Sequence, residues 1–467
     1  MLNFKTVTQK DASRLARYYT ACSYRLCEYS VGTKLMWRDE LHPSWTEAAG
    51  CLIVRNAIRG QEVYDYPVPG PDGDEEAALT AIEDDCAERG VIPVISVVPE
   101  EKAPVLLRRY PYVKVSNIRT WKDYLYYKED LQFFAGRHYA GQRNHIHKFQ
   151  AMYSDVIFRE LKTEDLPLIE GFWERYGQEF SKADDPKAKT ELAYAKRLLR
   201  LTGKPWFRTG GFFDDGQLIA LSMAEKIGDT LIIHVEKALY SYVGIYPALV
   251  QAFAQTFGED VKYLNREDDA ADRGLRASKM QYGPAMLAAK FCFEPQNEVQ
   301  HYLEEIPSLE TNRLTLDVLR ESDIPAYNEL ILDKERNRWW GYDDEGSLNG
   351  PVKTDSFFRV AEADFNNRLA VNFAVRLDGR LIGEAVLYHF NCRGEAELGC
   401  RILPAFAGHG YGTEAFSAAA DWALYKLHLK RLVAKCYHEN SASFRMLSSC
   451  MRKCGSDETF DYFEKLI

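Results

Sequence analysis

RILPAFAGHGYGTEAFSAAADWAL, residues 401–424, decides the fold of the last third of this chain. An apolar strand ends at Leu403. Gly408, Gly410 and Gly412 follow within a few residues, and an alanine-rich helix is predicted over Thr413–Leu427. Glycines in such a turn remove side chains that would keep a ligand from the backbone. The unpaired N–H groups at the helix start, with the helix dipole behind them, attract an anion, and a pyrophosphate fits there.

The order of elements around this loop narrows the choice. Strands are predicted at Ala370–Leu377, Leu381–Phe390 and Ala396–Leu403, with short turns at 378–380 and 391–395. A dinucleotide-binding Rossmann unit wants a parallel strand–turn–helix near the start of a domain. A glycine loop behind three antiparallel strands argues against it. Upstream lie a strand at Arg313–Leu319 and a helix at Glu321–Ile331; downstream come a strand at Arg431–Tyr437 and a helix from Asn440.

The middle of the chain has the same layout. A strand and capped helix open it in VIFRELKTEDLPLIEGFWERY, and strands at Gly211–Phe213, Leu218–Glu225 and Thr230–Val235 are separated by DDGQ and IGDT. The helix Tyr246–Phe257 and the strand Lys262–Leu264 complete it. In the first segment, helices are expected at Asp11–Tyr29, Glu75–Arg89 and, with a basic face, Lys128–Tyr153. Strands are expected at Cys51–Arg55 and Val91–Val98. The division is therefore 1–152, 153–298, a polar linker at 299–308, and 309–467. The fold class is α+β: three units, each a mixed central sheet flanked by helices.

The bulk composition fits two or three domains in 467 residues. A formal net charge of −10 argues against nucleic acid as a general partner. The ten cysteines form no CxxC pairs, so neither a disulfide framework nor a structural zinc site is expected. No run of ~20 apolar residues predicts a membrane span, and a cytoplasmic protein is expected.

Several words in 309–467 carry a resemblance. LETNRLTLDVLRESD, AELGCRILPAFAGHGYGTEAF, HENSASFRML and FDYFEKLI resemble the GNAT N-acetyltransferases, in the ribosomal-protein alanine acetyltransferase branch. The resemblance implies acetyl-CoA as cofactor and an amine as acceptor, on a small molecule or at a protein or peptide N-terminus. It places the cofactor against Arg401, Ile402, Leu403, Ala407, Gly408, His409, Gly410, Tyr411, Gly412, Thr413 and Asn440. It makes Glu397 the candidate base, and Ser443 or Tyr437 the proton donor to the leaving thiolate. Glu397 also reads as a plain ion-pair residue, and Asn440 as a plain helix cap. Ala407 departs from the family, which carries Arg or Gln there; a side-chain contact to phosphate is lost, while backbone contacts remain. Arg336, Arg338, Trp339 and Trp340 are expected to shape the acceptor pocket or to pack in a core.

A second set of words covers residues 1–300: SYRLCEYSVGTKLMWRDEL, YLYYKEDLQFFAGRHYAGQRNHIHKF, HVEKA, YLNREDD and GLRASKMQYGP. They resemble the phosphatidylglycerol lysyltransferase C-terminal-domain family, built of two GNAT-like halves as in Fem-type aminoacyl transferases. The resemblance implies an aminoacyl-tRNA or another acyl donor for this module. His234 and Glu236 alternate on one strand face. Asn265, Arg266 and Glu267 follow a strand directly, and Arg276 and Lys279 lie one helical turn apart. Together these residues are the candidate substrate site, with Glu236 a further candidate base. An internal salt-bridge network is the other reading of the same residues. Three functional readings stay open: two transferase modules; one GNAT enzyme behind a non-catalytic ligand- or peptide-binding module; or two non-catalytic parts, which the Ala407 departure favours.

Overall fold

The computed structural model describes residues 1–58, 60–180, 186–296, 299–333, 335, 339 and 355–467. The chain divides into two compact units, 1–85 with 93–294, and 86–92 with 295–467. Among the described residues there are three mixed sheets, each flanked by helices.

The first unit holds two of the sheets. One runs in the order 5–6, 44–48, 51–58, 61–65, 95–99, 290–295, 113–116. The other runs 286–288, 123–127, 263–265, 230–238, 217–227, 207–214, 157–160. Strand Asp123–Tyr127 thus pairs inside the sheet of the middle segment, and Lys290–Pro295 returns to the first sheet. Pairing therefore does not follow the 152/153 boundary, and the two halves are interlaced.

The second unit's sheet runs 309–310, 314–318, 370–377, 380–388, 395–402, 431–437, 460–466, 452–456. Each sheet contains a parallel pair: 61–65 with 95–99, 230–238 with 263–265, and 395–402 with 431–437. In the last two, only three residue pairs are in register, Thr230–Ile232 against Tyr263–Asn265 and Glu395–Glu397 against Arg431–Val433. Strand 263–265 ends with that pairing, whereas 395–402 and 431–437 run on past theirs, and a cleft opens between them.

Local sequence explains the hairpins. Asp215–Gly216 and Asp378–Gly379 are left-handed at both central positions (φ 44° and 73°, 49° and 78°), which is the turn that matches strand twist. In the second unit, Val371, Phe373, Val375, Ile382 and Leu398 pack against Ala415, Phe416, Ala419, Ala420 and Ala423. The small alanine face lets that helix lie close on the sheet.

Two helices are shorter than periodicity predicts. Asp11–Tyr29 is helical only over Ala12–Tyr19, and Cys27–Tyr29 forms a separate turn, because Tyr19, Tyr24 and Tyr29 all go into the core. Lys128–Tyr153 breaks at Phe134 (φ 45°) and Gly136 (φ 87°) into Lys128–Phe133 and Ala140–Met152. Arg143 caps that break, donating to the Phe134 and Gly136 carbonyls, so it is not part of a free basic face. The strands Ser44–Ala48 and Gln61–Asp65 carry no clean alternation and escape sequence reading.

Candidate functional site

A cleft of about 1090 Å³ lies in the second unit where strands 395–402 and 431–437 part. Its lining includes Glu397, Arg401, Ile402, Ala407, Gly408, Gly410, Tyr411, Gly412, Thr413, Tyr437, Asn440 and Ser443. Sequence reading had named all of these. Leu403 and His409 stand beside it, outside the lining. The Leu403 N–H donates to Ile382 O (2.7 Å), and the His409 carbonyl accepts from Arg313 (3.0 Å).

Gly408 (φ 82°) and Gly410 (φ 81°) are left-handed, a conformation that costs other residues about 1–2 kcal/mol. Gly410 caps the helix Tyr411–Tyr425, whose first N–H groups have no intrahelical acceptor. Arg313 escaped the sequence reading. Its guanidinium lies over the Tyr411 ring (4.5 Å to the centroid), and its Nη2 is 3.5 Å from where a side chain on Gly410 would start. Glu414 holds it there, accepting from Arg313 Nε at 2.7 Å. Arg313 thus brings a cation to the loop that lacks one at Ala407. The only sequence hint was its place in LETNRL, about 100 residues away.

The Arg401 side chain is buried against Glu384 (Nε–Oε1 2.6 Å), with Tyr327 donating to the other carboxylate oxygen at 2.9 Å. Arg401 can therefore offer a ligand its backbone but not its charge. Asn440 caps the closing helix through Ser443 N–H (3.1 Å) and lines the cleft as well.

Glu397 is nearly buried at the other end of the cleft. Its Oε1 accepts from Tyr388 Oη (2.8 Å), Oε2 lies 3.2 Å from His389 Nδ1, and Lys435 Nζ is 3.8 Å away. Burial pushes this carboxyl up, but the His389 contact, the Lys435 charge and the Tyr388 hydroxyl outweigh it, and it titrates below the usual carboxylate range. Tyr437 packs tilted against Phe460 (ring centroids 4.5 Å apart) and Trp339 (5.7 Å), which gives this end an aromatic wall. Arg336, Arg338 and Trp340 lie outside the described residues.

In the first unit, the residues singled out by HVEK and NRED are brought together. His234 Nδ1 is 2.8 Å from Glu267, Arg266 donates to Glu236 (Nη2–Oε2 2.6 Å), and Arg276 pairs with Asp269 (2.8 Å). Lys279 donates to the backbone carbonyls of Arg266 and Asp268, and burial lowers its pKa. Asn265 donates to Asp123 (2.8 Å).

Sequence reading missed Glu225, Glu28, Asp123 and Lys290. Lys290 Nζ sits 2.7 Å from both Glu28 and Asp123. His234 is the extra residue of a bulge opposite Ala224. Its Nε2 lies 3.7 Å from Glu225, beyond hydrogen-bond reach. Burial opposes charge on this imidazole, yet Glu225 and Glu267 raise it to about 9. Three buried polar atoms near these strands have no hydrogen-bond partner: His234 Nε2, Arg266 Nη1, whose guanidinium lies over the Tyr282 ring at 4.4 Å, and Ser222 Oγ. Ser222 is directly across from Glu236.

The model of the family described as phosphatidylglycerol lysyltransferase, C-terminal, matches residues 21–294, and that of the acetyltransferase (GNAT) domain matches 313–453. An uncharacterized N-acetyltransferase, YoaA of Bacillus subtilis (strain 168), is 24% identical over 144 residues, which is 30% of this chain and 80% of that protein. A conserved protein of unknown function from Bacteroides thetaiotaomicron has the same fold over 63% of this chain and 100% of its own, with TM-score 0.55 and 24% identity. The spermidine N-acetyltransferase of Vibrio cholerae, solved with CoA and spermine, covers 33% of this chain and 96% of its own at TM-score 0.30 and 18% identity. Among the described residues, no helix is long and apolar enough to cross a membrane. The chain belongs to the phosphatidylglycerol lysyltransferase C-terminal family and carries behind that region a GNAT acetyltransferase domain, which makes it an acyl-CoA-dependent N-acyltransferase acting on amines.

Proposed function

We propose that the second unit transfers an acetyl group directly from acetyl-CoA to a primary amine. The observation that carries this reading is the cleft at the parting of strands 395–402 and 431–437, floored by the glycine loop. The pyrophosphate sits at Gly408–Thr413, with Arg313 supplying charge, and the pantetheine runs along 398–402. The Glu397 cluster receives the amine's proton. Ser443 or Tyr437 protonates the departing thiolate; both line the cleft. The acceptor is a small amine or a peptide N-terminus. Mass-spectrometric detection of an acetylated amine with release of CoA tests the reaction, and transfer surviving in Gly410→Trp would refute the placement.

For the first unit we propose an acyl or aminoacyl donor site, comprising two GNAT-like halves, centred on Glu236 and Arg266. The partnerless Arg266 Nη1 and Ser222 Oγ on either side of Glu236 support it, because buried polar atoms are rarely left unpaired. Transfer of an aminoacyl group from aminoacyl-tRNA, lost in Glu236→Gln, is the test. A second reading, a non-catalytic binding module, is favoured by closure: the His234 ring is fully buried, and Lys279, Arg276 and Lys290 are all engaged.

A further inference from the structure

We infer that His389 takes the proton from the acceptor amine through Nε2, and that Glu397 is its positioning carboxylate. The inference rests on the proposed acetyl transfer in the second unit and deepens it. Sequence reading had named only Glu397 at this place.

The geometry is that of an imidazole–carboxylate pair. His389 Nδ1 faces Glu397 Oε2 at 3.2 Å, and the ring edge-packs on Tyr388 with centroids 4.7 Å apart. Glu397 is buried while the His389 side chain is 59% exposed. An ionised carboxylate beside Nδ1 fixes the proton on that nitrogen and leaves Nε2 unprotonated, on the edge of the ring away from the carboxylate; His389 stands just outside the cleft lining, next to Tyr388 and Glu397, which belong to it. His389 also has a left-handed backbone (φ 52°) immediately after strand Arg380–Tyr388. A non-glycine residue held there is strained, and such residues cluster at functional sites. The same turn brings the ring over the carboxylate.

The chemistry favours the imidazole over the carboxylate alone. Glu397 is stabilised as an anion by Tyr388, His389 and Lys435, with Tyr462 also near it. A carboxylate so well satisfied is a weak acceptor for an amine's proton. An imidazole is better matched to proton transfer near neutral pH. In the step, the amine nitrogen bonds to the thioester carbonyl carbon as its proton passes to His389 Nε2. The imidazolium keeps its Nδ1–H on Glu397, which remains ionised and offsets the new charge. Collapse of the intermediate breaks the C–S bond, the thiolate takes a proton from Ser443 or Tyr437, and that hydroxyl regains a proton from water. His389 then loses its proton to water through the exposed edge.

Two measurements on the full chain decide this. The first is ¹⁵N NMR of the imidazole, with the His389 signal identified by its loss in His389→Asn. The expected result is a neutral ring protonated at Nδ1, with that preference lost in Glu397→Gln; protonation at Nε2 instead would overturn the inference. The second is turnover of acetyl-CoA with spermidine and with an alanyl peptide as amine probes. His389→Ala should lower kcat about 100-fold or more, abolish the acidic limb of the pH–rate profile, leave acetyl-CoA affinity by calorimetry unchanged, and regain rate on adding imidazole. A parental rate and pH profile in His389→Ala, with Glu397→Gln inactive, would make the carboxylate itself the base. Parental activity in Glu397→Gln would refute the reading of the acceptor end instead. If neither probe is acetylated by the parent chain, the tautomer decides.

Discussion

Replacing Gly32 by alanine should destabilise the first unit by roughly 2.5–6 kcal/mol. A Cβ at position 32 would stand 2.3, 2.6 and 2.7 Å from Nε2, Cδ2 and Cε1 of His234. Ordinary carbon contacts begin at about 3.5 Å, so ring and helix must move apart by roughly 1 Å. The ring has little freedom, since Glu267 holds Nδ1 at 2.8 Å and Phe207 stacks on it at 6.3 Å and 10°. The helix Val31–Met36 is held too, because Glu225 accepts from the N–H groups of Val31 (3.0 Å) and Gly32 (2.8 Å). Overpacking costs about 1–3 kcal/mol, and loosening one hydrogen bond to a charged group about 1.5–3 kcal/mol. Urea unfolding followed by tryptophan fluorescence measures the sum. Gly141→Ala is the control: it adds a methyl group to open space within a helix and should stabilise by about 0.5–1 kcal/mol. A Gly32→Ala chain as stable as the parent would show that His234 is not wedged against this helix.

Other outcomes follow from the same network and from the cleft. The His234 imidazole titrates near 9 in the fold against 6.5 as its ordinary value, so its stabilisation is full below about pH 6.5 and is lost as pH rises through about 9. Unfolding titrations of the parent and His234→Gln should therefore converge at alkaline pH, and a constant gap from pH 6 to 10 would contradict the shift. Arg313→Gln should weaken CoA by about tenfold in calorimetry, through loss of the cation at the loop; unchanged affinity would remove Arg313 from the site. Ala407→Arg should tighten CoA binding, and weaker binding would show that no phosphate passes that point.

What could be read from the sequence was local. Two-residue Asp-Gly turns, the alternation on either side of them and the glycine loop are written in neighbouring residues, so the second unit's strands and cleft were legible. The partners of the buried charges were not. Glu225 meets Val31 across 194 positions, and Lys290 meets Glu28 across 262. Nothing near either residue announces such a contact. Asn265 and Arg266 were visible because they follow a strand, whereas Asp123, which receives Asn265, lies on a strand returned from the first segment to the middle sheet. His389 fell inside the predicted strand Leu381–Phe390, and only the fold ends that strand at Tyr388 and sets the ring against Glu397.

Calorimetric titration of acetyl-CoA into the full chain, with hydrogen exchange to locate the ligand, tests the central claim most directly. One molecule should bind per chain, with protection concentrated at 408–413, and Gly410→Trp should abolish it, because an indole would strain a left-handed position and occupy the phosphate space. The corresponding turn of the first unit, 239–244, carries Tyr240, Tyr242 and one glycine, so no second site is expected there. Undiminished binding in Gly410→Trp, or protection confined to residues 230–282, would contradict the account.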